Sequence, residues 1–184
     1  MKEVFDWIYS IVVALFLAMV IHIFLFVPTK VSGESMYPTL NNGQYLIVSK
    51  IGHVFRDTPE YGQIVIIDSR AQRPRSWVDD LTEPMNNYIA LFDRSRQEHN
   101  VWVKRVIGLG GDKLEFHDGH VYRNGEKLDE PYINEPMEFS MNGSYTVPEG
   151  MVFVMGDNRN HSSDSRFIGP VAVDHVLGRV VLEL

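Results

Sequence analysis

The sequence predicts a mainly β chain behind one N-terminal membrane-spanning helix, and three observations carry that prediction. Trp7 to Val27 is a run of 21 residues without a charged side chain. The rest of the chain breaks into short apolar, β-branched stretches of strand length, such as Ile64-Val65-Ile66-Ile67 and Met151-Val152-Phe153-Val154-Met155, set apart by Gly, Asn and Pro. Within it, Asp118-Gly119 and Asn124-Gly125 stand between short alternating runs, the strongest local signal of β-hairpins.

The uncharged run comes first. At about 1.5 Å per residue it makes a helix roughly 30 Å long, enough to cross a bilayer. A cleaved leader is the competing reading. The run is longer than a usual leader core, only Met1-Lys2 supplies positive charge before it, and Pro28-Thr29-Lys30 is not a small-x-small cleavage site. Trp7 and Tyr9 suit the membrane interface, and a lone His22 near the end of the span reads as reaching for headgroups or a backbone carbonyl. Lys2 and Lys30 flank the span evenly, so charge hardly sets its orientation. This divides the chain into a tail (1–6), an anchor (7–27) and a single folded domain (28–184).

In that domain, Gln44 to Ile51 and Ile64 to Asp68 read as strands. Residues 69–100, with scattered Arg and Asp plus Pro74 and Pro84, read as a surface excursion holding at most one short helix. Val101 to Ile107 resumes strand character. Gly108 to Lys113 is glycine-rich but lacks the spacing of a phosphate loop, so it reads as a backbone bend. The region 113–150 reads as a cap-like β-ribbon insertion, followed by strands at Met151 to Met155 and Val176 to Leu184.

Composition narrows the function. A net charge of −7 without a basic cluster excludes nucleic acid as a partner. The absence of cysteine excludes disulfides, thiolate metal sites and a cysteine nucleophile. His117 and His120 lack a third ligand at sensible spacing, and the loop from Gly156 lacks the pattern of a calcium site, so neither metal nor cofactor is expected.

Two stretches remain that could carry chemistry. Gly33-Glu34-Ser35-Met36-Tyr37-Pro38-Thr39-Leu40 places a serine at the front of a tight bend, and a serine is a weak nucleophile until a neighbour takes its proton. In Val103-Lys104-Arg105-Val106-Ile107 two adjacent cations sit in an apolar strand. Strand neighbours point to opposite faces, so either one of the two turns inward or this is an edge strand protected by its charges.

Three separated blocks resemble, in order, the signature boxes of bacterial type I signal peptidases: GESMYPTL from Gly33, VKRVIGLGGD from Val103 and GDNRNHSSDSR from Gly156. QYLIVSKI, from Gln44, is similar to a further structural box. The resemblance implies a membrane-anchored Ser/Lys endopeptidase with an extracytoplasmic β-rich catalytic domain and a cytoplasmic N-terminus. Its substrates would be signal-peptide-bearing preproteins, its surroundings the lipid bilayer, and its working form a monomer. By position, Ser35 is similar to the nucleophile and Lys104 to the general base, Ser162 to the residue that orients the lysine, and Asp164 to the carboxylate pairing with Arg105 and Arg166. Val31, Met36, Leu40 and Val103 would lie near the substrate pockets. The chemistry is coherent, because a lysine can act as a base only where desolvation holds its amine neutral.

Two positions depart from the family pattern. Gly33 stands where some relatives carry a serine, and Gly110 replaces the proline usual in the second block. Two rival readings set the alternatives: a Ser-His-Asp hydrolase built from Ser35, His161 and Asp164, and a membrane-tethered β module that binds exported chains without cutting them.

Overall fold

The computed structural model describes residues 2–71, 73, 75, 76, 79 and 100–184. Helix α1 covers Lys2–Phe24, one turn short of the predicted end, and strand β1 (Phe26–Lys30) takes the tail of the apolar run. Pro28 is tolerated in β1 because the strand lies at a sheet edge, where a missing N–H breaks no ladder on its outer side. Among the described residues no helix is long and apolar enough to cross a membrane.

Beyond β1, the domain contains β2 (Tyr45–Ser49), a short helix α2 (Ile51–Phe55), β3 (Ile64–Asp68), β4 (Val101–Leu109), β5 (Lys113–His117), β6 (His120–Arg123), β7 (Glu126–Lys127), β8 (Met141–Thr146) and β9 (Met151–Met155). A 3-10 turn (Arg159–His161), helix α3 (Ser165–Ile168), β10 (Val171–Ala172), a second 3-10 turn (Val173–His175) and β11 (Val176–Glu183) complete it. Seven strands form one antiparallel sheet in the order β1-β2-β11-β3-β4-β9-β10, and four form a second in the order β7-β6-β5-β8. The predicted ribbon over 113–150 is therefore a small sheet in its own right. The short helix expected within 69–100 lies outside the described residues, although the base of that excursion is pinned where the Ser69 N–H donates to the Asn100 carbonyl at 2.7 Å.

Strand β3 is buried on both faces, which explains its unbroken apolar sequence. Ile64 and Ile66 pack with Val31, Met36, Leu40, Leu46 and Val48 on one side. Val65 and Ile67 pack with Val106, Val152, Val154, Val171 and Val176 on the other. Where β4 and β9 run on past that core, Ile107, Phe153 and Met155 join Leu114, Phe116 and Val121, so the small sheet is packed onto the large one rather than tethered to it.

Strand β11 sits between β2 and β3, and its ladder shifts register on both sides, between Val176 and Gly178 and between Val180 and Leu182. Gly178 is the point of closest approach: a Cβ there would lie 2.5 Å from Val48 Cγ1 and 2.9 Å from the Ser49 carbonyl oxygen. Gly178→Ala should therefore cost about 1–3 kcal/mol through overpacking. Thermal denaturation should show a clear fall in Tm, and an unchanged melt would contradict the close β2–β11 approach.

Candidate active site

Strand alternation decides the fate of the two cations on β4. Lys104 pairs with Val65 and points into the protein, with 3% of its surface exposed, whereas Arg105 pairs with Ile64 and Met155 and turns to the other side. On the inward side, Lys104 Nζ lies 2.7 Å from Ser35 Oγ.

The Ser35 turn is held from below and behind. Met36 and Leu40 are core residues, the Tyr37 N–H donates to the Glu34 carbonyl at 3.0 Å, and the Leu40 N–H donates to the Met36 carbonyl at 2.9 Å. From the far end of the chain Asn158 clasps the same turn, its backbone N–H donating to the Ser35 carbonyl and its Nδ2 to the Glu34 carbonyl, both at 3.1 Å. Ser35 is left half-buried, with its hydroxyl against the amine.

Burial is the main influence on that amine and pushes its pKa down to about 8. Asp164 and Asp157 pull the other way, and Arg166 adds to the depression. A lysine so placed is about one-tenth neutral at pH 7, against less than one part in a thousand for an exposed lysine.

The second block of charges is arranged differently from the sequence expectation. Arg105 pairs with Asp157, not Asp164: its Nε donates to Oδ1 at 2.8 Å and a terminal nitrogen donates to Oδ2 at 2.6 Å. Burial works against the charge on Arg105, but the hydrogen bond and charge of Asp157 more than offset it and raise its pKa. Thr39, at the back of the Ser35 turn, donates its hydroxyl to the same Asp157 carboxylate. Asp164 is given over to Arg166, whose guanidinium donates to both its oxygens at 2.8 Å, and it also accepts from the Gly156 N–H at 3.0 Å and from the Arg166 backbone N–H at the start of α3. Two carboxylates seven positions apart in one loop look alike in sequence, and the 3-10 turn between them sends them to different arginines.

Ser162 also departs from expectation. It is buried beside the pair, but its Oγ donates to the Ser163 carbonyl at 3.4 Å, and among the described hydrogen bonds none joins it to Lys104. Its neighbour in space is Gly156, where an added Cβ would sit 2.3 Å from Ser162 Oγ and 2.4 Å from the Ser35 carbonyl oxygen. Gly156 is thus the point at which the Ser35 turn and the 156–166 loop close on each other. Sequence reading missed Gly156, Asp157, Asn158 and Thr39, since nothing local separates them from ordinary turn residues.

The four residues expected near substrate pockets share one cluster. Val31, Met36 and Leu40 are 4%, 1% and 0% exposed, and only Val103 is partly open. Met36 and Leu40 therefore pack beneath the serine and present no surface to a substrate in this conformation. His161 is exposed, and its described hydrogen bond runs through its backbone N–H to Asn158, so Ser35, His161 and Asp164 are not assembled as a triad. Gly33 has φ +98°, a conformation in which a serine would be strained. A Cβ at Gly110 would lie 3.0 Å from Glu149 Cα and 3.1 Å from the Pro148 carbonyl oxygen, so glycine here fits a close backbone approach. Among the described residues there is no cluster of His, Asp and Glu placed to hold a metal.

A family model described as "Signal peptidase, peptidase S26" matches residues 4–184. The chain is 38% identical to "Signal peptidase I" of Bacillus licheniformis over 90% of its own length and 79% of that protein. It is 33% identical to "Probable signal peptidase I-1" of a Synechocystis strain over 93% of its own length and 77% of the relative. A crystal structure of a signal peptidase I from Enterococcus faecalis aligns at 27% identity and a TM-score of 0.45, covering 67% of this chain and 97% of the other.

The burial of Lys104 has a thermodynamic signature. Its pKa is about 8 when folded against 10.5 in the open chain, so between those pH values the unfolded state holds more protons and the fold gains stability as pH rises. Below pH 8 the buried charge costs about 3 kcal/mol. Lys104→Met should therefore be more stable than the parent at pH 7, with the advantage vanishing above pH 10.5. Urea titrations at both pH values test this, and a Met variant with no gain at pH 7 would contradict the desolvated amine.

Proposed function

Because this chain belongs to the signal peptidase family, peptidase S26, and is a hydrolase of that family, we propose that it cleaves signal peptides from preproteins with Ser35 as nucleophile and Lys104 as general base. The observation that carries this reading is the 2.7 Å contact between Lys104 Nζ and Ser35 Oγ at an amine shielded from water.

In the proposed cycle Ser35 Oγ attacks the carbonyl carbon at the junction and its proton passes to the neutral Lys104 amine. The carbonyl oxygen takes the negative charge and meets the Ser35 backbone N–H, which donates none of the described hydrogen bonds. The C–N bond breaks, the lysine returns the proton to the departing amine, and the signal peptide remains as an ester on Ser35. Water, deprotonated by the same amine, then attacks the ester carbon, the bond to Ser35 Oγ breaks, the lysine returns the proton to that oxygen, and the signal peptide leaves with a new carboxylate. Thr39, Arg105 and Asp157 hold the far side of the serine turn, and Asp164 with Arg166 holds the loop. These are positioning roles.

A membrane anchor formed by the 7–27 run, with the N-terminus in the cytoplasm and the domain outside, belongs to the same proposal. Its support is the uncharged stretch together with the outward-facing apolar surface of α1, on which Trp7, Ile8, Ile11, Val12, Leu15, Phe16 and Leu17 are each more than half exposed. Among the described residues these side chains stay exposed, and lipid would cover them. We assign the enzyme to a monomeric working form, since one chain supplies both members of the pair.

In detergent, the full chain should cleave a preprotein after a small-x-small sequence. Lys104→Ala and Lys104→Arg should lower kcat/KM by on the order of 1000-fold or more while preserving the far-UV circular dichroism spectrum, and His161→Ala should stay within about twofold of the parent. Because the base must be neutral, kcat/KM should climb with pH through about 8. Retained cleavage in the lysine variants together with loss in His161→Ala would favour the triad instead.

A further inference from the structure

Behind the 156–166 loop lies a buried ion pair that the cycle above does not use. Arg159, 2% exposed, donates to both oxygens of Glu130, at 2.6 and 3.1 Å, and the two side chains are 1% and 3% exposed. Glu130 comes from the segment between β7 and β8, far from the catalytic blocks in sequence. Its partner Arg159 also reaches the loop itself, with Nε donating to the Gly156 carbonyl at 3.0 Å. Tyr132 completes the cluster. Its hydroxyl donates to Glu130 Oε1 at 3.0 Å, and its ring lies beneath the Arg105 guanidinium at 3.9 Å and 6.0 Å from that of Arg159.

Burying two charges is costly unless geometry recovers the loss, so such a pair is weak evidence of stability alone. What it does here is directional. The carboxylate fixes the guanidinium plane, the guanidinium fixes the Gly156 carbonyl, and Gly156 is the residue pressed against the Ser35 carbonyl and Ser162. We propose that Glu130 is a positioning residue for peptide-bond cleavage, acting through Arg159 and Gly156 to hold the 156–166 loop closed over the Ser35–Lys104 pair. This rests on the reading of that pair as catalytic.

The test uses the full chain in detergent with a preprotein carrying a small-x-small junction. Glu130→Ala should reduce kcat by about 10- to 100-fold with KM within about twofold, since a misplacement near 1 Å costs on the order of 100-fold. Glu130→Gln, which keeps the shape and one acceptor for Arg159, should recover part of the loss and guards against a variant that fails to fold. Rates are normalised to the folded fraction measured by circular dichroism. The pH profile separates positioning from charge. Lys104 is faced by Asp157, Asp164, Arg166, the Ser35 hydroxyl and the Trp102 ring, and Glu130 is not among the charges acting on it. A relaxed loop would admit water and move the acid limb of kcat/KM to higher pH, whereas loss of a distant negative charge would move it lower. A lower kcat with the limb moved upward is the expected result. Parental kcat per folded molecule in Glu130→Ala, or an unmoved or lowered limb, would overturn the proposal. Cleavage that survives Lys104→Ala would instead overturn the reading of the pair, whatever Glu130 does.

Discussion

Everything in this domain is arranged around keeping one amine out of water. Exposed lysine is protonated at any physiological pH, so a lysine can serve a serine hydroxyl only where the fold makes its charge unfavourable. Here that is achieved by position on strand β4, which buries Lys104 to 3% exposure and places its tip on Ser35. Nearby carboxylates would undo that effect if left unmatched, and each is matched. Asp157 faces Arg105, and Asp164 faces Arg166.

Those ion pairs do two things with one set of charges. Arg105–Asp157 holds the 156–166 loop against β4 while Asp164–Arg166 fixes the loop internally, and both limit how strongly negative charge favours the protonated lysine. Arg105 is adjacent to Lys104 in sequence yet belongs to the opposite face, so alternation along one strand supplies both the desolvated amine and the cation that anchors its surroundings. The side-chain tie from Thr39 to Asp157 extends this bracing to the serine turn.

The sequence carried the mainly β character, the inward lysine and the hairpins of the small sheet, because period-two alternation and Asp-Gly or Asn-Gly turns are local signals. It hid β1, since Phe26 and Val27 continue the apolar run of the helix without a break. It also hid α2, whose five residues follow a strand with no sequence stop. The choice between Asp157 and Asp164 as partner of Arg105 depends on a 3-10 turn at Arg159–His161 that no residue pattern announces. Gly156 was invisible for a different reason: its φ is unexceptional, and the need for glycine comes from atoms distant in the chain.

The sheet order has an effect on when the enzyme can exist. In the hydrogen-bonded ladder, the β1–β2 hairpin that carries the Ser35 turn connects to the strand bearing Lys104 by way of β11 and then β3. A ribosome-bound chain lacking residues 176–183 has its hydroxyl and its amine on pieces with no ladder between them. Assembly of the pair therefore depends on residues 176–183, and a chain cut before them would leave the hydroxyl and the amine unjoined by the sheet.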